Sequence, residues 1–330
     1  TAMFGSLSLL AGMALLESAA AAEPPEVSLD ALQLAPSVYA LRPNVAIGNP
    51  SIVAIIDQGE ALLIDAGIPD NGPVLRDWLR ERGVTRVRYI ATTHYHTDHV
   101  WGMESFAGDR PVVLATAEQA TRLAVGGTAT KGQALDTRVQ PQLLVDDRLQ
   151  LRFGGQQITM MRPPHRASHT DGDLLAWIQP ANVLVIGDHY IADRFPVIDL
   201  GGGGSLWGYL ANLDWLQQLA NPQTQWIPGH GHFEPTPWRS YRGEELAHWT
   251  QRLRDSVAVV AAARLDGLDL PALQERGLGE AFADLHQRPR FVKESAWIAS
   301  VHAALEQCEA RLGEPVQDAA LCELATASRP

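Results

Sequence analysis

Six residues carry the densest chemistry in the chain: His94-Tyr95-His96-Thr97-Asp98-His99 places three imidazoles and a carboxylate side by side. Neutral imidazole and carboxylate are good ligands for borderline divalent ions such as zinc. In an extended segment, residues two apart project to one side, so His94 and His96 can reach the same ion. A turn after Thr97 can send Asp98 and His99 toward a second. Three further groups of the same kind, His169, Asp188 and His230, follow downstream, each after an apolar run. The chain holds only 11 histidines, so three within one hexapeptide after an apolar run do not fit a His-rich surface loop. A closed structural zinc site uses four ligands, and the candidates here exceed that number.

The elements that must position these side chains are short apolar runs of strand type. Residues 87–93 (VRYIATT) run directly into His94. Residues 157–162 lead through His165 to His169, residues 183–187 lead into Asp188 and His189, and residues 225–227 lead toward His230. Four strand ends thus deliver ligands, which is how a sheet scaffold converges side chains on one rim. Residues 51–57 and 61–65 flank Gln58-Gly59-Glu60 and predict a hairpin. Residues 149–153 and 174–178 predict further strands. Pro73 opens a helix over 73–82 that Gly83 caps, and a second helix over 116–125 is stopped by Gly126 and Gly127. Leu206, Leu210, Leu213 and Leu216 recur at helical spacing. Beyond about Arg242 the strands cease, and two long helices are expected over 244–264 and 293–312. No internal repeat of the solenoid kind is present.

In order along the chain, H-x-H-x-D-H, then His169 in H-T-D-G-D, Asp188 in I-G-D-H and His230 in P-G-H-G resemble the metallo-β-lactamase superfamily. The likeness spans residues 38–234. It implies an α/β fold of four layers, an αββα sandwich, with metals at one edge of the two sheets and a helical C-terminal extension. It assigns His94, His96 and His169 to a first metal, and Asp98, His99 and His230 to a second, with Asp188 bridging both. Asp65, in L-I-D-A-G, resembles the family's supporting acid, which orients a ligand through hydrogen bonds. The implied cofactors are two zinc ions, and iron or manganese suit the same ligands.

The subgroup is narrowed by an Asp at the bridging position, which resembles the glyoxalase II and lactonase branches. The zinc β-lactamases have Cys or another residue in that region. Asp171 stands where glyoxalase II-like members have Pro in H-T-P-G, and is a departure. Residues 195–206 (FPVIDLGGGGSL) look like the segment after the bridging acid in a group of exported hydrolases of unsettled substrate. The resemblance therefore implies a hydrolase in which a metal-activated hydroxide attacks an ester, lactone or thioester carbonyl, with Asp98 as the catalytic acid–base group. A β-lactamase is a second reading, and an iron-dependent oxidoreductase on the same ligands a third.

Neighbouring residues carry two readings each. Tyr95, Trp101, Tyr190 and Trp207 are candidates for a substrate wall, or else pack at sheet edges. His165 and His189 are expected beside the ligands rather than among them. His232 either hydrogen-bonds near the site or faces solvent. Gly201 to Gly204 lacks a phosphate-loop fingerprint and is expected as a mobile flap near the metals.

A chain of 330 residues can form one large domain or two modest ones. The expected division is 1–22, a secretory signal; 23–242, the metal-binding domain; and 243–330, the helical extension. An apolar run from Leu7 to Leu16, then Ala19 to Ala22 and Glu23-Pro24-Pro25, reads as the end of such a signal, though no Lys or Arg precedes Arg42. Export to the periplasm is expected, with no stable membrane anchor after processing. The net charge of −12 argues against nucleic-acid and anionic-membrane partners and leaves a small molecule as the expected partner. In an oxidising compartment, Cys308 and Cys322 could pair and staple the C-terminal tail.

Overall fold

The computed structural model describes residues 27–44, 50–126, 133–231, 238–286, 292–313, 316 and 322. The expected signal over 1–22 and His232 lie outside the described residues. Two sheets are formed. The first runs in chain order through β1 (Leu29–Ala35), β2 (Val38–Pro43), β3 (Ile52–Asp57), β4 (Glu60–Ile64), β5 (Arg86–Ala91), β6 (Val112–Ala115) and β7 (Leu143–Leu144). The second has β8 (Arg148–Phe153), β9 (Gln156–Met161), β10 (Leu175–Gln179), β11 (Val183–Ile191) and β12 (Gln225–His230). Pairing is antiparallel from β1 to β4 and from β8 to β11. It turns parallel from β4 to β7 and between β11 and β12. Parallel neighbours need a crossover. Helix α1 (Gly72–Glu81) crosses between β4 and β5, and α4 (Leu206–Leu219) between β11 and β12.

Alternation along the strands decides what each face meets. Leu62 and Ile64 enter the core between the sheets, whereas Ala61 and Leu63 face outward to the α1 side. On β11, Val183 and Val185 point between the sheets, while Leu184 and Ile186 point to α4 and the C-terminal helices. Both faces of both sheets are therefore apolar, and helices must cover the outer ones. On the first sheet the covering includes α1, α3 (Ala117–Val125) and the 3-10 run Trp101–Asp109; the expected αββα order results.

The extension comprises α5 (Gly243–Leu265), α6 (Leu270–Arg276), α7 (Ala283–His286) and α8 (Glu294–Leu312). Its apolar side chains, among them Leu253, Trp297, Val301 and Leu305, share one core with Leu210 and Leu213 of α4. Each such fully buried leucine contributes about 1.5–3 kcal/mol, so the extension is part of the sandwich's outer layer. Cys308 and Cys322 form a disulfide with Cα atoms 5.7 Å apart. Among the described residues, no helix is long and apolar enough to cross a membrane.

Candidate metal centre

Strand ends position His94, Asp188 and His230, while Asp98 and His99 stand on a short helix after β5 and His169 on the loop between β9 and β10. At the end of β4, Asp65 adopts a positive φ of 58°, a conformation that Asp tolerates better than most residues. Its carboxylate accepts from the backbone N–H of Thr93 and from the Thr93 hydroxyl, both at 2.7 Å. This pins the end of the strand that delivers His94. His96 then caps α2 (Thr97–Val100), the turn that carries Asp98 and His99. Strand β11 does not stop at Gly187, as the sequence pattern suggests, but continues through Asp188 and His189. Gly187, at φ 52°, lies so near Thr93 that a Cβ would come within 2.8 Å of the Thr93 Cβ. A Cβ on Gly229 would collide with Asp188 Oδ1, so glycine before His230 is what admits the carboxylate.

The seven predicted ligands meet in two groups: His94, His96, His169 and Asp188, and Asp98, His99 and His230. Asp188 Oδ2 lies 3.8 Å from His94 Nε2 and 3.6 Å from His169 Nε2. Its other oxygen, Oδ1, lies 3.3 Å from His99 Nε2 and 3.5 Å from His230 Nε2. One carboxylate thus offers one oxygen to each group. In the first group His169 Nε2 is 3.0 Å from His96 Nδ1, and in the second His230 Nε2 is 3.3 Å from Asp98 Oδ2. Four imidazole nitrogens around one buried carboxylate are poor mutual partners, and His94 Nε2 and Asp188 Oδ1 are buried with no hydrogen-bond partner. Such groups are costly to leave unpaired. A divalent cation in each group would satisfy them, so the donor set fits two metal ions.

The electrostatics agree. Burial, then the nearby His99, hold His94 well below the usual histidine range, and burial takes His169 down to about 3. Both are therefore neutral and able to ligate. Burial works against charge on Asp98 and Asp188, yet the surrounding histidines outweigh it: Asp98 falls to about 2 and Asp188 lies well below its ordinary value. His99 is raised well above its ordinary value, because Asp188, Asp98 and Asp65 together overcome its burial. The same carboxylates would attract a divalent cation.

In four of the histidines the nitrogen turned away from the group has its own partner. His99 Nδ1 is 2.8 Å from Asp65 Oδ2, His94 Nδ1 is 3.0 Å from the Thr93 hydroxyl, and His169 Nδ1 donates to the Val197 carbonyl at 2.7 Å. His96 is turned the other way: Nδ1 faces the group, and Nε2 lies 3.0 Å from Asp199 Oδ2. Asp199 is a member of the site that the sequence pattern does not single out. Its signals in the sequence are its place before the glycine run and within residues 195–206, the segment that resembles a group of exported hydrolases.

Other expected members fall elsewhere. Tyr190 and Trp207 do not form a substrate wall: they are only 3% and 5% exposed and lie in the core beside the C-terminal helices. Tyr190 packs edge-on against Tyr241 and Trp249, and the Trp207 indole donates to the Ala304 carbonyl. Tyr95 is buried too, with its hydroxyl donating to Asp199. Trp101 is half-buried against the core under the first sheet. His189 is a support: its ring stacks on Tyr209, Nδ1 meets the Ile186 carbonyl and Nε2 the Ser168 hydroxyl. His165 is held through its backbone by Asn212. The glycine run is no free flap. Asp199 and Ser205 donate backbone N–H groups to His169 and Ser168, and Asp171 donates to Gly202, which ties the segment to the His169 turn.

A family model described as the metallo-beta-lactamase superfamily matches residues 45–234. Among solved structures, a metallo-beta-lactamase from Pontibacter korlensis aligns with a TM-score of 0.52 at 18% identity, covering 68% of this chain and 98% of its own. The DIM-1 metallo-beta-lactamase aligns with a TM-score of 0.51 at 18% identity, over 69% of this chain and 96% of its own. At these identities the structural likeness speaks to the fold. No curated protein matches the chain.

Proposed function

Since the chain belongs to the metallo-β-lactamase superfamily, we propose that it is a dinuclear metal-dependent hydrolase of a small-molecule ester, lactone or thioester. The observation that carries this reading is the division of the Asp188 carboxylate, one oxygen toward each group of histidines. His94, His96, His169 and Asp188 would hold one ion, and Asp98, His99, His230 and Asp188 the other. When bound, two zinc ions, or iron or manganese in their place, supply Lewis acidity and bring the pKa of a water toward neutrality. The chain's own contribution centres on Asp98. It is ionised at neutral pH, and its side chain is 15% exposed where the neighbouring His99 is fully buried. Its carboxylate can therefore orient an attacking water and take its proton. Asp188 and the histidines fix the geometry, and the buried sheet ends behind them exclude bulk water.

The test is initial hydrolysis rates of zinc-loaded protein on an aryl ester, a lactone, a thioester and a chromogenic β-lactam. Turnover of one of the first three, abolished by chelator and restored by zinc, supports the proposal. A protein that holds two ions and turns over none of them overturns it. Turnover of the β-lactam alone moves the assignment to that substrate. Iron bound on purification, with substrate oxidation in place of hydrolysis, would support the oxidoreductase reading. We further infer export, a reading the disulfide favours, because such bonds persist in oxidising compartments. Recovery of the native protein from a reducing cytoplasm alone would refute it.

A further inference from the structure

We propose that Asp199 is a positioning residue that turns His96 so that Nδ1 serves the first metal. This rests on the reading that His94, His96 and His169 hold an ion. His96 needs such help more than the other ligands. Its side chain is 16% exposed, against 1% for His94 and His169, so packing constrains its ring least. Only one of its nitrogens faces the group: Nδ1 lies 3.0 Å from His169 Nε2, and Nε2 lies 3.0 Å from Asp199 Oδ2. A carboxylate on Nε2 keeps the proton there, leaves the Nδ1 lone pair for the metal and raises its basicity.

Asp199 is itself clamped. Its N–H donates to the His169 carbonyl at 3.0 Å, and its Oδ1 accepts from Gly202 N at 2.9 Å. The Tyr95 hydroxyl donates to the same Oδ2 that meets His96. Arg122 lies over the Tyr95 ring, 4.8 Å from its centroid, and grips Asp171 through both guanidinium nitrogens at 2.5 and 2.8 Å. Asp171 in turn donates its N–H to Gly202. Asp171, the departure from the glyoxalase II-like H-T-P-G pattern, thereby closes a ring of contacts that begins and ends on the segment carrying Asp199. Each half of the centre then has one supporting carboxylate: Asp65 for His99 and Asp199 for His96.

The experiment titrates metal-free full-length protein with Zn²⁺, and with Co²⁺ to follow its d–d absorption, and makes no use of turnover. Wild type is expected to take up two ions. Asp199→Ala should weaken one of them on the order of 10–100-fold, as loss of a ligand's hydrogen-bond partner does elsewhere. The other ion should bind unchanged, and the Co²⁺ spectrum should change at one site only. Asp199→Asn keeps a neutral acceptor and should fall between the two. Tyr95→Phe, which leaves the carboxylate in place, should weaken the same ion by a few-fold and carries the test if Asp199→Ala does not fold. Wild-type affinities and spectrum in the Asp199 variants, or equal loss at both sites, would overturn the proposal. Uptake of a single ion by wild type would overturn the dinuclear reading instead, with Asp199 then tested on that ion.

Discussion

His96 and His99 stand on one short stretch of chain, yet what holds each ring comes from different parts of the fold. Behind His99 is Asp65, itself nearly inaccessible at the end of β4 and bonded twice to Thr93 at the end of β5. Behind His96 is Asp199, on a 3-10 turn of a connecting segment, with 22% of its side chain exposed. The group of Asp98, His99 and His230 is therefore backed by a carboxylate at a sheet end, and the group of His94, His96 and His169 is completed by a docked loop. Loops tolerate change that strand ends do not. A centre built this way can alter its loop-completed half and keep the other intact.

The largest effect should come from the residue that the halves share. Asp188→Ala removes an oxygen from each group, and metal analysis should find both ions weakly bound. Hydrolysis should fall on the order of 10³-fold, equivalent to about 4 kcal/mol of barrier. Retention of two tight ions would break the picture of a common bridging carboxylate. Next comes Asp98→Asn, which sharpens the division by touching the second half alone. The first ion should stay bound while kcat falls on the order of 10²–10³-fold, within the range for loss of a positioned acid–base group. Near-normal kcat with full metal content would remove Asp98 from the chemistry. Smaller again is Asp65→Asn. It should weaken the ion opposite to the one affected by Asp199→Ala, by about 10–100-fold. Loss at the same site as Asp199→Ala would collapse the comparison into a single supporting network.

What was legible in the chain follows the same line. The seven candidate ligands are legible from residue type and local spacing near apolar strands: His94 to His99 follow β5, Asp188 and His230 lie toward the ends of β11 and β12, and His169 stands on the loop after β9. The supporting role of Asp65 came through family likeness in a contiguous motif. Asp199 lies in a segment that the sequence does single out, but its role is not legible there, because its partner His96 lies on another element and no local pattern encodes a contact made across a loop. Aromatic type alone could not separate a pocket wall from a core. Trp207 and Tyr190 look like rim residues in sequence, but α8 and α5 cover them. The glycine run suggested mobility because glycine lacks a Cβ, whereas here that lack permits close docking: a Cβ on Gly204 would strike the carbonyls of Asp199 and His169. Strands β1, β2, β6 and β7 are not among the runs singled out in the sequence; β1 and the two-residue β7 lack a clean apolar run, and the four residues of β6, though apolar, are too few to stand out.

The smallest expected effect concerns the turn that presents His169, and it can be read without any metal. Asp173 is buried at 3% exposure and accepts from both the backbone N–H and the hydroxyl of Thr170. Burial outweighs these bonds and pushes its carboxyl up to about 7. A group whose folded value lies above its unfolded one favours folding most at low pH. That contribution is lost as pH rises from about 3.8 through 7. Replacing Asp173 by Asn removes the titration and keeps an acceptor for Thr170. Denaturant unfolding of metal-free wild type and Asp173→Asn should thus diverge with pH. Between pH 5 and 8, wild type should lose about 1–2 kcal/mol relative to the variant. This stays below the full shift because the turn can open enough to hydrate a charged Asp173. Parallel pH profiles would mean that Asp173 is ionised throughout, and that the loop-completed half rests on a buried charge after all.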